Sequence, residues 1–453
     1  GDTALILLKD CYYIATLDSG RVLQGSDILI KDGKIDQLAD TIQEPDAETI
    51  DCSQCAVVPG FVNTHHHFYQ TLTRNLPEIQ NAKLFDWLRY LYEIWKNIDE
   101  EAVLYSSMVG IGELLKTGCT CTTDHHYLYP RDFRGDLMGI QFEAASNLGI
   151  RFCPCRGSMS LSKKNGGLPP DSVVQRSDDI LKDSLRVIET YHDPEEFAMR
   201  RVMLAPCSPF SVTEDLMIET AKLAREHRVR LHTHLAETID EERYCMKKHA
   251  MRPLSLMEQW GFIGEDVSYA HGIYFTDEEL DTLAQTKTSI AHCPSSNMRL
   301  GSGIARVKEM LERGINVALA VDGSASNDTS DFLGEMRNAL LLQRVKYGPD
   351  AFTAHEVFQL ATENGARLLG FPRIGKIKEG WAADLAVFNM HRLQYAGSLS
   401  DPLAALVFAG IDHQTEYTIV DGEIVVQNGH LTGYDEETIT QRANRIARRL
   451  LES

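Results

Sequence analysis

Val57-Val58-Pro59-Gly60-Phe61-Val62-Asn63-Thr64-His65-His66-His67 is the stretch from which the fold can be read. An apolar run leads through a Pro-Gly break to histidines at i and i+2 on an extended segment. Side chains two apart on a strand share a side, so His65 and His67 can reach one metal ion while His66 points away. Three more metal- or proton-competent residues, His234, His271 and Asp322, also follow strand-like runs. Ligand-type residues at successive strand ends read as an active site.

Outward from this run, the middle of the chain alternates strand and helix. Thr213 is placed to cap a helix with Leu216, Met217, Thr220, Leu223 and Ala224 on one side. Strands are expected at Val229–His232, leading to His234, at Val267–Ala270 before His271, at Ser289–His292, and at Val317–Val321 before Asp322. Helices are expected from Thr276 onward and over Ile304–Arg313, closed by Gly314. Repeated βα units with functional residues at the strand ends predict an α/β fold, a (β/α)8 TIM-type barrel. Short strands with hairpin turns open the chain (Lys31-Asp32-Gly33-Lys34) and return late (Asp421-Gly422). They predict a small composite β-sandwich domain built from both chain ends. The expected division is residues 1–58 and 371–435 for the β domain, 59–370 for the barrel and 436–453 for a C-terminal amphipathic helix. Two excursions, Asn75–Ala82 and Gly157–Pro170, read as covers for the site.

A chain of 453 residues is long enough for one large barrel plus an accessory domain. Its formal net charge of -20 argues against nucleic acid or an anionic membrane as partner. No signal-peptide pattern opens the chain and no apolar run approaches membrane-spanning length. The 10 cysteines include several in apolar strand-like runs, such as Cys153, Cys155 and Cys293, as expected of buried thiols in a reducing cytoplasm. Cys52-Ser-Gln-Cys55 has no second pair to complete a zinc site and reads as structural.

Zinc catalysis needs neutral imidazoles or a carboxylate as ligands and an open position for water. His65, His67 and His234 supply nitrogens, and Asp322 supplies an oxygen that can also take a proton. Glu237, three residues past His234, can shuttle a proton without being a ligand. His271 can hydrogen-bond the water or a developing oxyanion. His232 alternates with His234 and reads as support for a ligand.

Pro59–His67, His232-Thr233-His234-Leu235-Ala236-Glu237, Ala270-His271-Gly272, His292-Cys293-Pro294-Ser295-Ser296-Asn297 and Val321–Asp328 resemble the amidohydrolase superfamily. The likeness is to its branch of purine, pterin and s-triazine aminohydrolases, and it runs to Ile374–Asp384. It implies one zinc per subunit, with iron(II) as the alternative, held by His65, His67, His234 and Asp322. Glu237, His271 and Asp322 are then the catalytic residues. Absence of a lysine in Ala205–Phe210 agrees with one metal rather than two. The branch also implies a small heterocyclic substrate and a homo-oligomer. His66–Arg74, Asp124–Pro130, Arg156–Ser160 and Asp322–Asp328 are similar to the 8-oxoguanine deaminases and also to hydroxydechloroatrazine ethylaminohydrolases. Pro206-Cys207-Ser208-Pro209-Phe210, where guanine deaminases carry Pro-Arg-Phe, argues against unmodified guanine. The expected reaction is hydrolytic deamination, with Gln70, Tyr127, Arg156 and Ser208 as candidate polar contacts to substrate and Trp95 as a stacking wall.

Overall fold

Eight parallel strands form the centre of the computed structural model, which describes residues 5–131, 134–410 and 412–453. They are β1 (Phe61–Asn63), β2 (Cys119–Thr122, continued by His125–His126), β3 (Arg151–Phe152, continued by Cys155–Ser158), β4 (Met203–Pro206), β5 (Arg230–Leu235), β6 (Val267–His271), β7 (Ser289–His292) and β8 (Val317–Leu319). Each pairs with the next in parallel register. The ring closes where Thr64 donates its N–H and its hydroxyl to the Leu319 carbonyl, at 3.3 and 3.0 Å. β3 is interrupted at Cys153-Pro154, because proline has no N–H to donate. Flanking groups bridge the gap: the Cys153 and Cys155 N–H groups donate to the Thr122 and Asp124 carbonyls at 2.9 and 2.7 Å.

Helices cover the barrel on the outside. Glu214–Glu226 buries Leu216, Met217, Thr220 and Ala224 as the spacing predicts, with Ala221 in addition and Leu223 only half-buried. Thr213 stands at its N-cap but does not cap it, since its hydroxyl pairs with Ser160 Oγ at 2.8 Å. Asp277–Thr286 opens with a reciprocal capping box between Thr276 and Glu279. The helix expected over Ile304–Arg313 forms only at Val307–Glu312.

The β domain comprises two sheets. Ile6–Cys11, Ser26–Lys31, Lys34–Ala39 and Glu48–Asp51 make a four-stranded sheet. The other has seven strands and joins Tyr13–Ala15, Val22–Leu23 and Cys55–Pro59 to four late strands between Leu385 and Leu431. Leu385–Asn389 pairs antiparallel with Cys55–Pro59, so the chain ends are knitted where the first barrel strand departs. Leu8, Ile14, Ile28, Val57, Leu385 and Ile419, drawn from both sheets, are buried in one apolar cluster. The Lys31–Lys34 hairpin turns through Asp32 and Gly33, both with positive φ (55° and 76°), as a primed turn requires. The cysteines are all free and buried. Among the described residues no helix is long and apolar enough to cross a membrane. The last helix, Glu436–Glu452, buries Ile439, Ala443, Ile446 and Leu450 and is tied to the helix starting at Glu100 by Arg449–Asp99 at 2.7 Å.

Candidate active site

His65 and His67 follow β1, His234 lies within β5, His271 ends β6, and Asp322 follows β8. All five sit at the C-terminal end of the barrel, where a parallel barrel leaves its strand ends free to carry chemistry. His234 Nε2 lies 3.1 Å from Nε2 of both His65 and His67. Asp322 Oδ1 is 3.3 Å from His65 Nε2 and 3.6 Å from His67 Nε2.

The other ring nitrogens fix the tautomers. His67 Nδ1 donates to the His125 carbonyl at 2.7 Å, and His234 Nδ1 donates to the Cys207 carbonyl at 2.7 Å. Both Nε2 atoms then carry lone pairs in the neutral ring. Burial and the neighbouring imidazoles push His67 down to about 3 and His234 well below the usual histidine range, which keeps both rings neutral. Converging lone pairs beside a carboxylate repel one another unless a cation lies between them. The donor set is that of a divalent-metal site. His125 also offers an atom within 4.8 Å of His65, His67 and His234. Its Nε2 is taken by the Ala205 carbonyl at 2.8 Å.

The groups proposed to move protons stand beside this cluster. His271 Nε2 is 3.4 Å from Glu237 Oε1 and 3.5 Å from Asp322 Oδ2. His271 Nδ1 donates to Asn297 Oδ1 at 2.8 Å, which fixes the ring plane. Burial raises Glu237 to about 7, with the nearby Asp322 charge adding to the rise and His271 opposing it. Burial would also raise Asp322, but His65, His271 and His67 outweigh it and hold the carboxyl well below its usual range. The backbone is strained here. Ala236, His271 and Asp322 have φ of 56°, 77° and 63°, conformations that non-glycine residues hold only when their surroundings over-determine them.

A cavity opens onto these groups. Gln70, Tyr127 and Ser208 line it, with His67, His234, Glu237, His271 and Asp322 at its floor. Gln70 Oε1 accepts from the Ala325 N–H at 3.2 Å, so the amide NH2 is left as the free donor. Arg156 does not line the cavity. It is buried behind β3, paired with Asp183 at 2.9 Å and Gln175 at 3.0 Å, and stacked on Tyr129. Trp95 does not line it either: its Nε1 donates to Thr73 Oγ1 at 3.1 Å and its ring packs on Tyr69. The apolar wall comes from the same helix, Leu84–Trp95, through Leu84, Trp87, Leu88 and Tyr92. Phe210, Cys207, Leu300 and Ser326 complete the lining, and sequence reasoning did not single them out as contacts. No residue of Asn75–Ala82 or Gly157–Pro170 lines the cavity. The second segment instead docks on the helix Ile239–His249, where Tyr244 donates to the Gly166 carbonyl at 3.1 Å. His66 turns away to Ser330 Oγ at 2.8 Å.

A parallel barrel with this donor set and adjacent proton carriers defines a metal-dependent hydrolase. The profile of the amidohydrolase family matches residues 56–425, and the chain belongs to that family, as a hydrolase of the deaminase type acting on C–N bonds. An 8-oxoguanine deaminase from Pseudomonas aeruginosa is 43% identical over 94% of both chains. A hydroxydechloroatrazine ethylaminohydrolase from Pseudomonas sp. strain ADP is 35% identical over 96% of this chain and 93% of its own. Among solved structures, an atrazine chlorohydrolase from Arthrobacter aurescens TC1 complexed with zinc superposes with a TM-score of 0.94, at 30% identity, over 98% of this chain and all of its own.

Proposed function

We propose that the chain is a zinc-dependent deaminase of an oxidised purine, converting 8-oxoguanine and water to urate and ammonia. The 43% identity to an 8-oxoguanine deaminase over 94% of the chain carries this reading of the substrate. His65, His67, His234 and Asp322 would hold one zinc ion. Bound there, zinc supplies Lewis acidity that makes water a competent nucleophile near neutral pH. Iron(II) is the alternative occupant of the same donors.

Asp322 takes the proton of the attacking water. Glu237, poised near neutrality by burial, delivers its proton to the ring nitrogen next to the amino-bearing carbon; the proton held by Asp322 passes to the departing amine, and the hydroxyl proton of the collapsing tetrahedral centre restores Glu237. His271, held by Asn297, hydrogen-bonds the oxygen that develops charge. Gln70 presents its amide NH2 to a substrate carbonyl, and Tyr127 and Ser208 supply further polar contacts. Trp87 and Tyr92 take the stacking role expected of Trp95.

A second reading keeps the chemistry and changes the ring to a hydroxy-s-triazine, pterin, guanine or adenosine-type substrate. The relative at 35% identity that is named for a triazine supports it. A catalytically inert scaffold would not need the buried, converging donors described above. Ammonia release by the zinc-loaded protein decides among the readings, with 8-oxoguanine, guanine, isoxanthopterin and hydroxylated s-triazines side by side. A kcat/KM of about 10⁴ M⁻¹s⁻¹ or more for 8-oxoguanine, with guanine far behind, is expected. Turnover of another ring with 8-oxoguanine inert would discard the substrate and keep the mechanism.

A further inference from the structure

His65 is the one histidine among the proposed ligands whose second nitrogen is not tied to a backbone carbonyl. Its Nδ1 lies 2.8 Å from Nε2 of His232, another imidazole. His232 Nδ1 lies 2.7 Å from Ser268 Oγ, and Ser268 Oγ lies 3.5 Å from the Leu231 carbonyl. All three side chains are buried, on the interior of β5 and β6 or beside it.

Only one arrangement of protons satisfies this chain from both ends. The Leu231 carbonyl can only accept, so it takes the serine hydroxyl proton. Ser268 Oγ therefore accepts from His232 Nδ1–H. With its proton on Nδ1, the neutral His232 ring has its lone pair on Nε2. That lone pair accepts from His65 Nδ1–H, leaving the His65 Nε2 lone pair directed at His234 and Asp322. The reverse polarity would put a proton on His65 Nε2 and remove it as a ligand.

We infer that His232, oriented by Ser268, is a positioning residue that locks His65 in its metal-binding tautomer and so sets how tightly the site holds its ion. This inference rests on the metal site proposed above and is independent of the substrate. His67 and His234 achieve the same end with rigid carbonyl acceptors. His65 depends on two side chains, which makes its support the part of the site that mutation can remove without touching a ligand or the backbone.

The test is zinc affinity, read by competition with a chromogenic chelator, for the parent protein, His232→Leu, His232→Gln and Ser268→Ala. His232→Leu keeps bulk but removes the acceptor, and about 10- to 100-fold weaker zinc binding is expected. His232→Gln can offer its amide oxygen to His65 Nδ1–H and is expected to recover most of the loss. Ser268→Ala is expected to weaken binding several-fold. A hydrogen-bonded imidazole N–H resonance of His65 is expected in ¹⁵N-labelled parent protein and should vanish in His232→Leu. Parent-like zinc affinity in a folded His232→Leu overturns the inference. If that variant does not fold, parent-like affinity in Ser268→Ala does so. A parent protein that binds no zinc would overturn the metal reading itself, and the histidine resonance would still report on the relay.

Discussion

Glu237 combines a fixed place, 3.4 Å from His271, with burial that brings its pKa to about 7. Glu237→Gln keeps the shape and removes the proton carrier. A kcat lower by roughly 10²- to 10⁴-fold is expected, with zinc content unchanged by elemental analysis. Gly323 shows a different constraint. A Cβ there would sit 1.9 Å from Gln70 Oε1, so this residue must be glycine for Gln70 to hold its place. Gly323→Ala should displace the amide and raise KM about tenfold, the value of roughly one hydrogen bond. In a Gln70→Ala background the added methyl meets no amide, so the two changes should be strongly non-additive in KM. His65, His67, His234, Glu237, His271 and Asp322 were legible as a set because each follows a strand-like run. Arg156 and Trp95 were misplaced because composition names a residue's chemistry and leaves its direction open. Arg156 found an acid behind the barrel, and Trp95 found a threonine.

At the scale of elements, the turn after β5 is held by the helix that follows it. Glu241, in the first turn of Ile239–His249, accepts the N–H of Ala236, whose φ of 56° swings Glu237 toward the cavity. Burial raises Glu241 from an ordinary 4.5 to about 8, with the nearby Glu237 charge contributing and the backbone hydrogen bonds opposing. A raised folded-state pKa means the folded form holds the proton more tightly than the unfolded chain. Its contribution to stability is full below about pH 4.5 and is lost as pH rises through about 8. Urea unfolding at pH 5 and pH 8 should therefore show lower stability at pH 8, and Glu241→Gln should reduce that difference. Glu335, similarly raised to about 8 by burial, should leave part of it in place. The capping box at Thr276 gives a plainer case. Thr276→Ala should cost about 1 kcal/mol of stability with kcat unchanged. The Thr276 helix start was readable from its acidic first turn. The helix after Thr213 also starts where expected but lacks the side-chain cap, because the Thr213 hydroxyl is engaged by Ser160, 53 residues away.

Across the whole molecule, barrel and β domain are joined by a buried ion pair. Arg151 Nε and Nη2 each donate to Asp384 at 3.0 Å, and Asp384 also accepts the Asp421 N–H at 2.8 Å. Asp384→Ala would leave the buried guanidinium with Asp421, 3.5 Å from Nη2, as its remaining acidic partner. A loss of about 3 kcal/mol is expected in denaturant titrations, because breaking the closer of its two ion pairs leaves the buried charge only partly compensated. Metal removal acts on the same global stability. An ion at a hundred times its Kd stabilises the folded state by about 2.7 kcal/mol, so chelation should lower Tm and re-addition should restore it. The sequence by itself determined the alternation that builds the barrel, the β-rich ends and which residues of a type suited to metal or proton chemistry fall at strand ends. Those properties follow from local periodicity and residue type, which are written along the chain. Only the tertiary structure decided which aromatics wall the cavity, which nitrogen of each histidine is free, and that the ligand His232 supports is His65, with Ser268 behind it. Such facts depend on side-chain directions set by packing between strands distant in sequence, and no local pattern encodes them.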